Sequence, residues 1–328
     1  METTKKLVPI KRRYSKAEKK RFPFVYALIL FPVLQFFVFW FVVNISSIGY
    51  SFLDTKEHFT LQNFVDVFKA FSSVGPFQVH IGQALLRSLT LWLISTFITF
   101  PISVITTYVL FRKIRCHYIF RICYIIPGLM GTVVFVMLIR YMVQWDGPIT
   151  QLVEKIIDVF NLKPLPELAR RNGLLGDIKT AFPTLIIINF IMGIVGNNAV
   201  LTGAFSRIPT EIFESAEIDG AGFWTICLKI AIPCVWSTIT MLLTFSLCSI
   251  FTADCSSFLY TDGTGNPGLQ TIGFTLYSIT YQISVNGSPD YFAYGYPAAL
   301  GLVLTAMTLP IVLLGRKGLD KLNDTVEL

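Results

Sequence analysis

Residues 180–206, TAFPTLIIINFIMGIVGNNAVLTGAFS, run for 27 positions without an Asp, Glu, Lys or Arg. Residues 207–229, RIPTEIFESAEIDGAGFWTICLK, follow with four acids, and residues 230–253, IAIPCVWSTITMLLTFSLCSIFTA, are again uncharged over 24 positions. A helix needs roughly 17–25 apolar residues to cross the hydrocarbon core of a bilayer. The pattern therefore reads as two spanning helices joined by a short charged connection.

The same signature recurs outward from this centre. Four further uncharged runs lie between Arg21 and Asp54, Arg87 and Arg112, Arg121 and Arg140, and Asp290 and Arg316, with lengths of 32, 24, 18 and 25 residues. Of the 328 residues, 53% are hydrophobic and 14% charged, whereas soluble domains average about 25% charged. A soluble core would have to bury all six runs on every side, with too few charges left to clothe it. A porin-type barrel would alternate apolar and polar residues, and these runs do not. The expected fold is an all-α integral membrane protein with six transmembrane helices, at about 24–52, 85–111, 117–143, 182–205, 230–252 and 294–314.

One more uncharged stretch, 263–289, is too rich in Gly, Pro, Asn and Gln to span, because lipid leaves exposed backbone unsatisfied. It reads as an outer loop holding a short amphipathic helix near 269–283, with a re-entrant segment as the alternative. The basic stretch from Lys5 to Arg21 precedes an apolar run too long for a cleavable signal, so that run is expected to stay as the first span. Pro32, Pro101 and Pro127 fall inside expected spans, where each removes a backbone hydrogen bond and favours a kink. The six cysteines form no C-x-x-C pair or zinc spacing and read as small apolar packing residues.

Lys and Arg concentrate in cytoplasmic segments. Nine lie before the first span, four (Arg112, Lys113, Arg115, Arg121) between the second and third, two (Arg207, Lys229) between the fourth and fifth, and three (Arg316, Lys317, Lys321) after the sixth. This distribution predicts both termini on the inner side, N-in and C-in, and a multi-pass protein of the cell membrane. The net charge of +7 then faces anionic lipid headgroups rather than nucleic acid. The expected organisation is a basic tail at 1–22, a six-helix transmembrane domain at 23–316 with a connecting helix at 209–221, and a tail at 317–328.

That connecting helix is the most informative segment. Pro209 suits a first turn, Glu211 and Glu214 sit near the positive end of the helix dipole, and Gly220 is placed to end the helix. Ile208, Ile212 and Ala216 share a face at i, i+4 spacing. Ala216, Gly220 and Ala221 keep the surface small enough for close approach. An interfacial helix resting on lipid wants Lys or Arg on its polar face, and Glu211, Glu214, Glu217 and Asp219 would be repelled by an anionic leaflet. The segment therefore reads as a protein-docking element.

Here the chain resembles a family. Glu214-Ser215-Ala216, then Gly220, then Ile230-Ala231-Ile232-Pro233, looks like the EAA loop that marks permease subunits of binding-protein-dependent ABC importers. Ile208-Pro209 and Ile218-Asp219-Gly220-Ala221 are similar to its carbohydrate branch. Ser215 replaces the usual Ala and Ile232 the usual Leu. Gly295-Tyr296-Pro297-Ala298-Ala299-Leu300 resembles the start of the family's last helix, and Gly265-Asn266-Pro267 and Thr275-Leu276-Tyr277 the segment before it. The arrangement is closest to the first permease of maltose-type systems and covers about 270 residues, from the first span onward.

The resemblance implies a six-helix type I importer permease that pairs as a heterodimer with a second permease subunit. Two ATPase subunits would grip the cytoplasmic loops, and an extracytoplasmic solute-binding protein would deliver a carbohydrate, with an oligosaccharide preferred. It implies that Glu211, Glu214, Ser215, Ala216, Asp219, Gly220 and Ala221 form the coupling surface. It also implies substrate contacts from the fourth and fifth spans, where Asn189, Gly193, Asn197, Ser246 and Ser249 are candidates; interhelical hydrogen bonding is the competing reading for each. The chain has no G-x-x-x-x-G-K-[ST] loop, so ATP and Mg would be bound by the partner ATPases, and this chain would be a non-catalytic transport subunit.

Two other classes make different demands. An ion-coupled transporter wants carboxylates in the middle of its spans, and these spans have none. An intramembrane enzyme wants a nucleophile–base or metal cluster, and His58, His80 and His117 lie outside the core of the spans without metal spacing.

Overall fold

The structure of the protein, a computed structural model, describes residues 16–54, 58–73, 80–112, 117–161, 164–251, 267–285 and 294–326. The first fifteen residues of the basic tail, Lys113, Arg115, Asp254, Gly265 and Asn266 fall outside these ranges. Among the described residues every regular element is a helix, with a lone antiparallel bridge between Leu53 and Phe59.

Thirteen helices matter here: α1 (Tyr26–Ser51), α2 (Gln62–Ser72), α3 (Ile81–Phe111), α4 (His117–Leu129), α5 (Thr132–Val143), α6 (Pro148–Val159), α7 (Glu167–Asn172), α8 (Ile178–Phe205), α9 (Thr210–Ile218), α10 (Phe223–Cys234), α11 (Trp236–Cys248), α12 (Ile272–Val285) and α13 (Gly295–Val326). Helix α1 continues N-terminally to Lys16. Four of these, α1, α3, α8 and the stretch Gly295–Lys321 of α13, are long and apolar enough to cross a membrane; α10 and α11 make a fifth if the bent pair is one span.

The expected third span is the point of difference. It is broken at Met130–Gly131 into α4 and α5, of 13 and 12 residues, each too short alone. Pro127-Gly128 sits just before the break, and Gly131 takes an extended conformation (φ −60°, ψ 140°). The expected fifth span is also bent, by 71° at Val235, next to Pro233. Pro101 follows a π-turn at Ser95–Thr99 inside α3, Pro233 a π-turn at Cys227–Ala231 inside α10, and Pro32 precedes another at Phe37–Val42 inside α1. A proline cannot donate its ladder bond, and a local π-turn is one way a helix absorbs such a disturbance.

Helix α3 is the hub. It touches α2, α4, α8, α10 and α12. Helix α13 packs on α11, α2 and the C-terminal part of α1, and its start is close-fitting. A Cβ on Gly295 would lie 2.7 Å from Asn63 Nδ2 and 3.0 Å from the carbonyls of Tyr50 and Leu53. Asn63 in turn donates to the Ser51 and Leu53 carbonyls (3.1 and 3.0 Å), capping the end of α1. Helix α2 was not expected, although Phe64, Val67, Phe68 and Phe71 fall at helical spacing; Val67 is fully buried.

The short helix expected near 269–283 is α12. Ile272 and Ile279 are fully buried, and the Ile272 N–H donates to Ser88 Oγ of α3 (2.9 Å). Fourteen residues give a length of about 21 Å, short of a hydrocarbon core of about 30 Å. Helix α6 follows a turn at 145–147. Behind it, Val143 O accepts from both Thr150 Oγ1 and Leu174 N (3.0 Å each), which pins the loop after α7 against the end of α5.

Candidate functional site: the acidic connecting helix

Helix α9 is seated by an aromatic cluster. Phe213 and Ala216 are buried, and with Ile208 they join a core formed by Tyr108, Phe205, Ile226 and Cys227. The Phe213 ring lies 5.8 Å from Phe111, Phe111 lies 6.0 Å from Phe205, and Tyr108 lies 5.8 Å from Phe205 and 5.2 Å from Phe223. Aromatic pairs at these separations add to simple area burial. The seat thus draws on the ends of α3 and α8 and the start of α10.

Of the expected shared face, Ile208 and Ala216 are buried and Ile212 is not. The seat uses Phe213 and Ala216 at i, i+3, and Ile212 is exposed. Ala216, expected on the coupling surface, points its methyl inward against this core. Glu211, Glu214, Ser215, Asp219 and Gly220 are exposed, and Ala221 is half-buried against the core. Ile218 is 86% exposed. It was not singled out from the sequence, although its position opposite Phe213 on a helical wheel marks it as an apolar residue placed outward among acids.

Both ends are well formed. Pro209 is the residue before the first turn (φ −58°, ψ 137°), and Glu211 occupies that turn. At the other end Gly220 is left-handed (φ +79°). Ala221 N–H donates to the Ala216 carbonyl (2.9 Å) and Gly220 N–H to the Glu217 carbonyl (3.0 Å). This paired 6→1 and 5→2 bonding is the Schellman cap, which favours glycine at the left-handed position. Among the described residues, none lies within 4 Å of where a Gly220 Cβ would stand, so the outer side of the cap is open to them.

A lateral tie was not foreseen. The Arg112 guanidinium, just past the end of α3, donates to the Glu217 carboxylate and lies 5.4 Å over the Phe213 ring. It joins the connection after the second expected span to the one between the fourth and fifth, so both stand at the same end of the bundle. A groove of about 220 Å³, lined by Arg207, Pro209, Ile212, Cys234 and Ser237 among others, runs beside the N-terminal end of α9.

The substrate-path candidates sit along two helix crossings with α3. On α8, Asn189 Nδ2 donates to its own helix at Leu185 O (3.0 Å), and Asn197 Nδ2 approaches Gly193 O at 3.4 Å. Gly193 permits the crossing itself, since a Cβ there would lie 2.7 Å from Thr99 Cγ2. Ser103 Oγ of α3 donates to Ile194 O (3.1 Å). On α11, Ser246 Oγ pairs with Thr96 Oγ1 (2.7 Å), and Ser246 O accepts from Trp92 Nε1 (2.8 Å). Ser249 Oγ donates back to Ser246 O (3.0 Å). The two sets thus flank the middle of α3.

Interhelical side-chain bonds in membranes contribute about 0.6 kcal/mol on average. Ser246→Ala is accordingly expected to lower the Tm of the purified protein by only about 1–2 °C. A rise in substrate KM well beyond that small loss would assign Ser246 a substrate contact in addition to its bond with Thr96.

Comparison with known proteins places this geometry. No family model matches the chain. It is 30% identical over 204 residues to a probable ABC transporter permease of Pyrococcus horikoshii, covering 61% of this chain and 63% of that one. It is 24% identical over 243 residues to the maltose/maltodextrin transport permease MalF of Shigella flexneri, covering 71% of this chain and 43% of that one. The chain therefore spans less than two thirds of the length of either relative. Among solved structures, it is similar to a chain of a bacterial alginate ABC transporter determined with an alginate-pentasaccharide-bound periplasmic protein (TM-score 0.71, 20% identity, 95% of this chain and 99% of that one). The resemblance to carbohydrate ABC importer permeases drawn from residues 208–233 is borne out by these relatives, and the fold is that of the alginate importer's chain.

Proposed function

We propose, from the premise that the chain belongs with the permease subunits of carbohydrate ABC importers, that it passes a sugar inward across the cell membrane using ATP hydrolysed by partner subunits. Six spans with N-in, C-in orientation fit this role, with α4 and α5 together making the third crossing. The partners are a second permease, two ATPase subunits that bind ATP and Mg, and an extracytoplasmic binding protein. An oligosaccharide is the preferred cargo, in keeping with relatives named for maltodextrin and alginate transport.

The observation that carries the reading is α9 itself. It presents Glu211, Glu214, Ser215 and Ile218 outward while Phe213 and Ala216 anchor it inward. An exposed acidic face with one apolar residue fits a basic, partly apolar cleft on another protein.

Charge reversal at such a contact costs on the order of 2–5 kcal/mol. Glu214→Lys is therefore expected to weaken ATPase docking at least about tenfold and to abolish uptake, with the chain still reaching the membrane. The check is reconstitution of the four-subunit core with its binding protein. Normal binding-protein-stimulated ATP hydrolysis by the Glu214→Lys complex would overturn the docking assignment.

A further inference from the structure

We propose that Arg112 is a positioning residue that sets the roll of α9 about its own axis and couples its docking face directly to α3. The inference rests on reading α9 as the ATPase-docking element.

Helix α9 is joined to the rest of the chain at its two ends, through residues 206–209 to α8 and through residues 219–222 to α10. Two end attachments leave a nine-residue helix free to turn about the line between them. The Phe213 and Ala216 seat opposes that turning from the inner side, and Arg112 adds a second lateral hold at the edge of the seat by two kinds of interaction: an ion pair with Glu217 and a cation–π contact with Phe213.

Residues on a helix advance about 100° each. Glu217 lies beside the buried Phe213 and Ala216 on the wheel, and Glu211, Glu214, Ser215 and Ile218 cluster on the far side. Holding Glu217 against α3 therefore adds to the Phe213 and Ala216 seat in keeping those four outward. The side chains of Arg112 and Glu217 remain 26% and 49% exposed, so the pair contributes little to stability. Its consequence is directional.

The contact also fixes where force is delivered. Arg112 ends α3, the helix that crosses α8 at Gly193 and α11 at Ser246. Displacement of α9 bears on α3 at once, without first passing through α8 or α10. A simpler role for Arg112 would be a cation placed at the negative end of the α3 dipole. Lysine would serve that role equally, and Glu217 would be irrelevant to it.

The test uses the complete transporter in proteoliposomes with its binding protein and a transported oligosaccharide. Arg112→Glu and Glu217→Arg are each expected to lower the number of sugar molecules imported per ATP hydrolysed by about fivefold or more, within the usual range of coupling effects. ATPase subunits should still co-purify with both variants. The double swap should recover the ratio, as a pairwise interaction requires. Arg112→Lys keeps the charge but loses the planar stack on Phe213, and should fall between wild type and Arg112→Glu; it serves as the readout if the swapped chains do not accumulate. A wild-type ratio in both single variants, or in Arg112→Lys if only that variant accumulates, would overturn the proposal, as would a double swap no better than the singles. A wild-type complex without ATPase subunits would instead overturn the reading of α9, before any variant is made.

Discussion

Gly220→Val is expected to eliminate ATP-driven uptake while leaving membrane insertion intact. Gly220 has φ +79°, and an L-residue in that region costs roughly 1–2 kcal/mol, more for a β-branched side chain. Relief of that strain would undo the Schellman bonds from Gly220 and Ala221 and let the chain after α9 leave its course toward α10. Among the described residues nothing lies within 4 Å of its Cβ position, so a steric effect at that atom would fall on a bound partner. Gly220→Asn separates the two causes, because asparagine tolerates the left-handed conformation. If the cap alone matters, Asn restores transport; if close approach matters, it does not. Uptake assays with quantified membrane protein, together with ATPase co-purification, read all three outcomes. Full transport by the valine variant would show that the cap geometry is dispensable.

The second large effect is structural and lies far from α9. Gly173 follows α7 with φ +81° and ψ 173°, a region open essentially to glycine alone and costing about 1–3 kcal/mol for other residues. A Cβ there would stand 2.6 Å from the Val143 carbonyl oxygen and 2.7 Å from Gln144 Cα. These are backbone atoms that cannot rotate away, and overpacking adds about 1–3 kcal/mol. Gly173→Ala is thus expected to be strongly destabilising, breaking the Leu174–Val143 bond and loosening α5 from the loop after α7. Thermal unfolding of the purified complex measures this directly, and an unchanged Tm would mean that the loop readjusts without loss. Gly131→Ala makes the control, since none of the described neighbours lies within 4 Å of its Cβ position and its φ is negative.

Much of this architecture was legible from charge spacing alone. The uncharged runs at 22–53, 88–111, 180–206, 230–253 and 291–315 each coincide with a long helix or bent pair, because a segment that must satisfy its backbone without water has few alternatives. The run at 122–139 met the same length criterion but breaks at Met130–Gly131, since charge-free composition does not report continuity. Helix α2 was hidden inside a mixed-charge stretch that a search for spans passes over, although its phenylalanines keep helical spacing.

At α9 the existence of the helix, its glycine end and its acidic face were all readable locally. Its seat was not. Whether Ile212 or Phe213 turns inward depends on Tyr108, Phe111 and Phe205, which approach from elsewhere in the chain. Ala216 satisfies a docking pattern and a packing pattern equally well by composition, and only the aromatic cluster distinguishes them. The partnership of Arg112 with Glu217 spans 105 positions, a separation at which spacing rules carry no information.

Trp92, Thr96, Thr99 and Ser103 would form a single stripe on a regular α-helix, at i, i+4, i+7 and i+11. Instead the first two meet Ser246 on α11, and the last two meet Gly193 and Ile194 on α8. The wider turn at Ser95–Thr99 acts as a phase shifter, rotating the lower half of the rod relative to the upper. One polypeptide segment thereby offers hydroxyl-bearing side chains to two different neighbours, Thr96 to α11 and Thr99 and Ser103 to α8, on either side of a single wide turn.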